Sequence, residues 1–91
     1  MKFTVVWSPQ AEKELCELWL KSRNPADLAR QVDAIERNLM TNADELGESR
    51  EDGTRLLIVE LIAVLFEVKL EDRKASVLHI ESIPPLRPKP R

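Results

Sequence analysis

The chain has 91 residues, of which 43% are hydrophobic and 33% charged, and its formal net charge is −2. This size suits a single small domain, and the hydrophobic content is too high for a disordered chain. Cys16 is the one cysteine, which excludes an intrachain disulfide framework. A membrane-spanning helix is excluded because Glu60 and Glu67 interrupt the longest apolar stretches. Residues 1–86 carry 11 basic and 16 acidic side chains, which argues against a broad nucleic-acid-binding face, since such faces are basic.

An N-terminal strand is predicted over residues 2–7, which are rich in β-branched and aromatic side chains. Alternation along the strand places three large apolar residues on one face: Phe3, Val5 and Trp7. Ser8 and Pro9 then begin a helix. The serine hydroxyl can accept a hydrogen bond from a backbone N–H of the first turn, and proline at the first helical position has no N–H that would be left unpaired. The segment has neither the hydrophobic region nor the cleavage site of a signal peptide, so we expect a cytoplasmic protein.

Two amphipathic helices are predicted next. The first covers residues 9–22, with apolar residues at helical spacing: Ala11, Leu15, Leu18 and Trp19. Asn24 and Pro25 repeat the start signal, and the second helix carries its own apolar stripe, Leu28, Val32, Ile35 and Leu39. It is expected to end between Asn42 and Gly47. The short connection predicts an αα-hairpin.

The second half of the chain is predicted to form strands. Residues 47–53 are polar and indicate a loop, whereas residues 55–70 are β-rich but too long for one strand, so a break is expected near residues 60–62. Residues 71–74 indicate a polar turn, and residues 75–83 a last strand. The domain should therefore occupy residues 1–83, followed by a proline-rich basic tail at residues 84–91 that we expect to be extended.

The order of elements is thus β-α-α-β-β-β, an α+β fold. Because the last three strands follow one another with short connections, they should form an antiparallel meander. One face of this antiparallel sheet needs a cover, and the N-terminal αα-hairpin supplies it.

Several short patterns together resemble the RelE/ParE superfamily, the toxins of type II toxin–antitoxin (plasmid-stabilisation) modules. The resemblance covers residues 3–83 and includes the family's order of elements. The patterns that carry it are Val6-Trp7-Ser8-Pro9-x-Ala11-Glu12-x-x-Leu15, Trp19, Gly47-Glu48-Ser49-Arg50, Leu65-Phe66-Glu67-Val68, Asp72-Arg73 and Val77-Leu78-His79-Ile80.

The resemblance implies one of two activities. Members of the RelE branch cleave messenger RNA on the ribosome and need basic residues on the second strand, an arginine early in the third, and basic or aromatic residues after the fourth. Here the second strand offers only Arg55, the third-strand position is Ala63, and the chain has no tyrosine. Members of the ParE branch poison DNA gyrase by binding, which needs no nuclease centre. The resemblance is therefore closer to ParE, and we expect binding rather than catalysis.

Two alternatives stay open: a RelE-like ribonuclease with an atypical site, and a non-toxic binding module on the same fold. The ribonuclease would use Arg55, Arg73 and His79. His79 is the one histidine, and an imidazole is the side chain that most often serves as a general acid or base. A hydrogen-bonded strand residue on the exposed face of the sheet is the more ordinary interpretation.

The candidate partner-binding residues are Arg50, in the Gly47-Glu48-Ser49-Arg50 pattern, and a basic edge of Arg55, Lys69 and Arg73 that could also include His79. This edge would attract an acidic segment of a cognate antitoxin, although a solvated charged face would have the same composition. Trp7 and Trp19 are interpreted as core anchors, and Cys16 as an inert small apolar residue.

The expected partners are an antitoxin and either gyrase or the ribosome, with no membrane. We expect a monomer or weak homodimer, no metal site and no cofactor, because the sequence has no metal-ligand cluster, no glycine-rich phosphate loop and no nucleophile motif.

Overall fold

The computed structural model describes residues 2–83; the predicted proline-rich tail at 84–91 lies outside the described residues. Its helices and strands, in chain order, are β1 (Thr4–Trp7), α1 (Pro9–Lys21), α2 (Pro25–Asn42), β2 (Glu48–Ser49), β3 (Thr54–Val59), β4 (Ile62–Lys69) and β5 (Lys74–Ser82). A single 3-10 turn, Ala43–Glu45, follows α2. The α+β class is confirmed.

Both helices begin at the predicted caps. The Ser8 hydroxyl accepts a hydrogen bond from the Ala11 N–H at 3.0 Å, and the Asn24 side-chain oxygen accepts one from the Asp27 N–H at 3.1 Å. Each cap is followed by a proline at the first helical position. Local sequence therefore determines where α1 and α2 start.

The five strands form one sheet in the order β1-β5-β4-β3-β2. The predicted antiparallel meander of β3, β4 and β5 is confirmed, but β1 lies parallel to β5, from Thr4 opposite Lys74 to Trp7 opposite Val77. The sheet is therefore mixed rather than antiparallel. The position of β1 depends on a pairing with the far end of the chain, which local patterns do not encode.

A fifth strand lies where a loop was predicted. Glu48 and Ser49 pair with Leu56 and Arg55, which makes β2 a two-residue edge strand. Gly47 precedes it with a φ of +74°, and a Cβ at this position would lie 2.6 Å from the Leu56 carbonyl oxygen. Only glycine permits the chain to approach β3 so closely.

The predicted break near residues 60–62 is confirmed as the β3–β4 turn. Glu60 adopts the left-handed conformation, with a φ of 54°. Its carboxylate accepts a hydrogen bond from Arg30 of α2 at 3.1 Å. The turn thus lacks the glycine that usually marks such a position, and an ion pair with α2 holds it instead.

The core lies between α2 and one face of the sheet. The predicted stripe of α2 is buried throughout, and it packs against fully buried residues of the central strands: Val64, Phe66 and Val77. Trp19 of α1 is 39% exposed, so its predicted role as a core anchor is wrong, and Trp7 is half-buried. Trp19 lies at the edge of the α1 stripe, and Leu15 and Leu18 make the contacts with the core instead.

A β-bulge interrupts the pairing of β4 with β5. Phe66 lies opposite Val77 and Leu65 opposite His79, which leaves Leu78 as the extra residue. The bulge changes which residues of β5 face the helices: Val77 and Ile80 are both buried there, whereas His79 points to the other face.

Candidate functional site

The open face of the sheet is the face opposite α2. It is formed by alternate residues of the three longest strands, as the register requires: Thr54, Leu56, Ile58, Ala63, Leu65, Glu67, His79 and Glu81. Leu56 and Leu65 are half-buried, and Ile58 is 55% exposed. The centre of the open face is therefore apolar and accessible.

Charged residues of α1, the β2–β3 loop and β5 lie beside this apolar centre. A depression of about 540 Å³ over the open face is lined at its rim by Glu14 of α1 and by Arg50 and Asp52 of the β2–β3 loop, together with His79 and Glu81 of β5. Three of these side chains are carboxylates and one is an arginine. The rim is thus more acidic than basic.

Glu14 connects α1 to the exposed edge of β5. One oxygen of its carboxylate accepts a hydrogen bond from the Ile80 N–H at 3.0 Å, and the other lies 3.2 Å from Nδ1 of His79. Burial raises the pKa of Glu14, but the hydrogen bonds from Ile80, His79 and Gln10 together lower it below its usual value. Glu14 is therefore ionised at neutral pH.

Glu14 takes this role because β1 is short. Its last pair with β5 is Trp7 with Val77, so no strand within residues 2–83 lies beside this edge of β5 beyond Val77. The start of α1 covers it instead: the Ser8 N–H donates to the Val77 carbonyl at 2.9 Å, and the Ser8 hydroxyl donates to the Leu78 carbonyl at 3.2 Å. Glu14 satisfies the next N–H along the strand.

The loop before β3 is held by Asp52. Its carboxylate accepts hydrogen bonds from the Thr54 hydroxyl at 2.6 Å and the Thr54 N–H at 3.1 Å, and these bonds lower the pKa of Asp52. Within the same loop the Arg50 N–H donates to the Thr54 carbonyl at 2.9 Å. This turn brings Arg50 to the rim of the depression.

Arg55 lies on the opposite side of the sheet from His79. It is paired with Phe66, on the face that α2 covers, and its Nε donates to the Leu46 carbonyl at 2.7 Å. The side chain is half-buried and ties the segment after the 3-10 turn to β3. The structure thus gives Arg55 a supporting position within the fold.

Lys69 and Arg73 lie at the β4–β5 turn. Both are exposed, and Arg73 adopts a left-handed φ of 49°. The four predicted partner-binding residues therefore share one end of the sheet but not one face. The three candidate catalytic residues, Arg55, Arg73 and His79, do not converge, since they occupy the helix-covered face, the turn and the open face.

Neither Glu14 nor Asp52 was predicted from the sequence as a site residue. Glu14 lies in a run of alternating charges in the α1 sequence and gives no sequence signal, and Asp52 lies in a generally acidic loop. Within residues 2–83, no group of three or more His, Cys, Asp or Glu side chains is arranged to hold a metal ion. In the same range, no helix has the length and apolar character needed to cross a membrane.

Sequence comparisons give no relatives: no protein-family model and no curated protein matches the chain significantly. Solved structures do match. A chain of the RelBE2 toxin–antitoxin complex from Mycobacterium tuberculosis is 21% identical, with a TM-score of 0.75 over 90% of this chain and 99% of that one.

Two further structures are similar. A chain of the chromosomal ParDE system of P. aeruginosa is 18% identical, with a TM-score of 0.64 over 91% of this chain and 98% of that one. A chain of the intact E. coli RelBE toxin–antitoxin complex is 14% identical, with a TM-score of 0.54 over 91% of this chain and 99% of that one. The structural similarity thus includes chains of RelBE and of ParDE systems, and it extends over 98–99% of each matched chain. The protein has the fold of the RelE/ParE toxin superfamily.

Proposed function

We propose that this protein is the toxin component of a type II toxin–antitoxin module, that it acts by binding a protein target as ParE toxins do, and that a cognate antitoxin neutralises it. The matched structures are RelBE and ParDE toxin–antitoxin systems, which supports the module. The observation that carries the mode of action is the open face of the sheet, whose apolar centre is accessible and whose rim is acidic.

The acidic rim argues for a protein target rather than RNA. Glu14 and Asp52 both have lowered pKa values and are negative at neutral pH, next to Glu81 and a single arginine, Arg50. Cleavage of a phosphodiester adds negative charge in the transition state, which cationic groups must stabilise. Carboxylates at the rim raise the energy of that state and repel the RNA backbone as it approaches.

The apolar centre and the β3 edge suit a protein segment. Leu56, Ile58 and Leu65 offer accessible apolar surface, and burying such surface contributes about 25 cal/mol per Å². Because β2 pairs only with Arg55 and Leu56, the outer edge of β3 from 57 to 59 has no strand neighbour within residues 2–83. Such an edge accepts an additional strand from a partner.

The antitoxin is proposed to contact the basic end of the sheet. Lys69 and Arg73 are exposed there, and an acidic antitoxin segment would be attracted to them. The test uses the product of the neighbouring reading frame, expected to be a short acidic protein with a DNA-binding N-terminal part. Lys69→Glu combined with Arg73→Glu should weaken the complex. Lys13→Glu combined with Lys21→Glu, at two exposed residues of α1, reverses the same number of charges and is the matched control.

A gyrase assay and a ribosome assay separate the two modes of action. The purified protein should stop supercoiling by gyrase, or stabilise cleaved DNA, and should leave ribosome-bound messenger RNA intact. Leu65→Lys, in the centre of the open face, should reduce the gyrase effect at least tenfold, a loss of about 1.4 kcal/mol. Leu20→Lys on α1 is the control, because Leu20 is 87% exposed.

The second candidate is a RelE-like ribonuclease, and the pairing of His79 with Glu14 at the open face favours it. A histidine held by a carboxylate is a general acid–base arrangement. Cleavage of ribosome-bound message by the wild type that is lost in His79→Ala would establish this function and contradict the proposal above. If the protein affects neither gyrase nor the ribosome and does not slow bacterial growth, the non-toxic binding module remains.

A further inference from the structure

A cleft lies at the end of the αα-hairpin, where the turn between α1 and α2 meets the start of β4 and the end of β5. This hairpin-end cleft has a volume of about 580 Å³, which is within the range of small-molecule sites. Its apolar lining comes from both helices and from the sheet: Leu18, Leu28, Leu61, Ile62 and Ile83. It shares no lining residue with the depression over the open face, so it is a separate surface.

One polar side chain in the wall of the cleft is buried with an incomplete set of hydrogen bonds. Gln31 is only 8% exposed, and its Nε2 donates to Oδ2 of Asp27 at 2.8 Å. Its Oε1 is buried as well, and no group of residues 2–83 donates a hydrogen bond to it. Buried polar atoms are nearly always paired, because an unpaired one loses its contact with water and gains nothing in return.

Asp27 determines which way the Gln31 amide faces. Hydrogen bonds from Arg30 and Gln31 lower the pKa of Asp27, so its carboxylate is ionised at neutral pH and can only accept. The NH2 group of Gln31 must therefore face Asp27, and the Gln31 oxygen must point away from it. A donor for this oxygen has to come from outside residues 2–83.

Two cationic side chains line the same cleft. Lys21 and Arg23 are exposed, and neither lies within ion-pair distance of a carboxylate in the part of the chain that the structure describes. Asp27 does not neutralise them, because Arg30 pairs with its Oδ1 at 2.7 Å. The cleft therefore combines an apolar wall, one buried acceptor and two cations that are available to an anion.

We propose that the hairpin-end cleft binds a small amphipathic acid that carries an amide N–H, of the N-acyl amino acid class. The amide N–H would donate to Oε1 of Gln31, and the carboxylate would pair with Lys21 or Arg23. The apolar side chain of the ligand would pack against Leu18 and Leu61. An amide suits the site better than an amine, which would bring positive charge next to the two cations. This proposal does not depend on the proposed toxin function.

Heteronuclear NMR of the isotope-labelled full chain tests the proposal, with N-acetyl-leucine as the probe. A ligand of this size should bind with a Kd on the order of 1 mM. Its addition should shift the side-chain NH2 signals of Gln31 and the backbone signals of Leu61 and Ile83, and these shifts should saturate. Shifts that do not saturate, or that concentrate elsewhere in the chain, would overturn the proposal.

A matched pair of ligands tests the contact with Gln31. The analogue in which an ester oxygen replaces the amide N–H should bind the wild type about tenfold more weakly, because Oε1 of Gln31 then has no donor. Gln31→Met keeps the length of the side chain but has no amide, and it should bind both ligands equally. The comparison is a ratio within one folded protein, so a change in stability does not affect it. Equal binding of the two ligands by the wild type, or an unchanged ratio in Gln31→Met, would contradict the assignment.

The charge of the ligand is tested in the same way. N-acetyl-leucinamide has no carboxylate and should bind the wild type several-fold more weakly than N-acetyl-leucine. Lys21→Gln combined with Arg23→Gln should remove this preference. Lys2→Gln combined with Lys13→Gln removes two exposed cations elsewhere and should leave it unchanged. An equal loss in the two double variants would show nonspecific attraction of an anion and would overturn the proposal.

The chain's own tail is the competing occupant, because Ile83 lines the cleft and residues 84–91 follow it. Leu86 is the one large apolar residue of that segment. In the full chain, Leu86→Ser should leave the Gln31 side-chain signals and the affinity for N-acetyl-leucine unchanged. If this replacement alone shifts those signals and strengthens ligand binding, the tail fills the cleft, and the proposal of a separate ligand fails.

Discussion

The two faces of one sheet differ in what their side chains do. On the helix-covered face, Val64, Phe66 and Val77 are fully buried beneath the α2 stripe. On the open face the same sheet presents Leu56 and Leu65, both half-buried, beside charged residues of α1, the β2–β3 loop and β5. Leu65 and Phe66, adjacent on β4, thus have different roles: Phe66 packs in the core and Leu65 lies on the open face. The covered face supplies the stability that allows the open face to remain incompletely buried.

Deleting a large side chain from each face gives the greatest contrast. Phe66→Ala should lower the free energy of unfolding by about 3–5 kcal/mol, because it removes a fully buried ring and leaves a cavity. Ile58→Ala on the open face should cost less than about 1 kcal/mol, since Ile58 is 55% exposed. Urea denaturation measures both. A similar loss in the two variants would mean that the open face is part of the core.

The two glycines beside the edge strand give the next largest effect. Gly47→Ala should cost about 2–3 kcal/mol, because the φ is +74° and the new Cβ would lie 2.6 Å from the Leu56 carbonyl oxygen. Gly53→Ala should cost about 1 kcal/mol, since its φ is +85° but nothing lies within 4 Å of the new Cβ. Thermal unfolding of both variants tests whether the approach of β2 to β3 is as tight as the structure has it.

Arg55, on the covered face, should contribute to the stability of the fold, whereas Arg73, at the β4–β5 turn, should contribute to antitoxin binding. Arg55→Met should lower the free energy of unfolding by about 1–2 kcal/mol, because the Leu46 carbonyl loses its charged donor at 2.7 Å. Arg73→Met should change it by less than about 0.5 kcal/mol. Antitoxin affinity should respond in the opposite way. When equal amounts of folded protein are compared, Arg73→Met should bind the antitoxin more weakly, and Arg55→Met should bind it as the wild type does. If Arg55→Met unfolds no more easily than Arg73→Met, Arg55 has no supporting role.

The smallest effect concerns the contact of α1 with the open face. Glu14→Gln should cost about 1 kcal/mol at neutral pH, because the hydrogen bonds from Ile80 and His79 favour the carboxylate. The pKa of Glu14 is lowered in the folded protein, so the stabilisation is present above the usual value of 4.5 and disappears as the pH falls through the folded value.

Unfolding measured between pH 7 and pH 3 should therefore show the difference between wild type and Glu14→Gln shrinking below about pH 4.5. Glu81→Gln is the control, an exposed carboxylate of the same face. A difference that stays constant down to pH 3 would show that the charge of Glu14 does not hold α1 to β5.

The local features of the fold were predictable from sequence because each is determined by neighbouring residues. The caps at Ser8 and Asn24, the α2 stripe and the break at Glu60 follow from hydrogen-bonding capacity, helical spacing and strand length, and the structure confirms them. The resemblance to RelE/ParE toxins could also be identified from sequence, because it rests on short residue patterns and on the order of the predicted elements. The fold agrees with it.

The arrangement of the site was decided by tertiary structure. The sequence places Val77 and His79 two positions apart, which in a regular strand would put them on the same face; the bulge at Leu78 separates them. Arg55 and His79 looked like parts of one basic edge until the register put them on opposite faces. Glu14 became part of the site because β1 is too short to cover β5. Each of these results depends on pairings between residues far apart in the chain, and such pairings are set by how the whole sheet assembles rather than by local sequence.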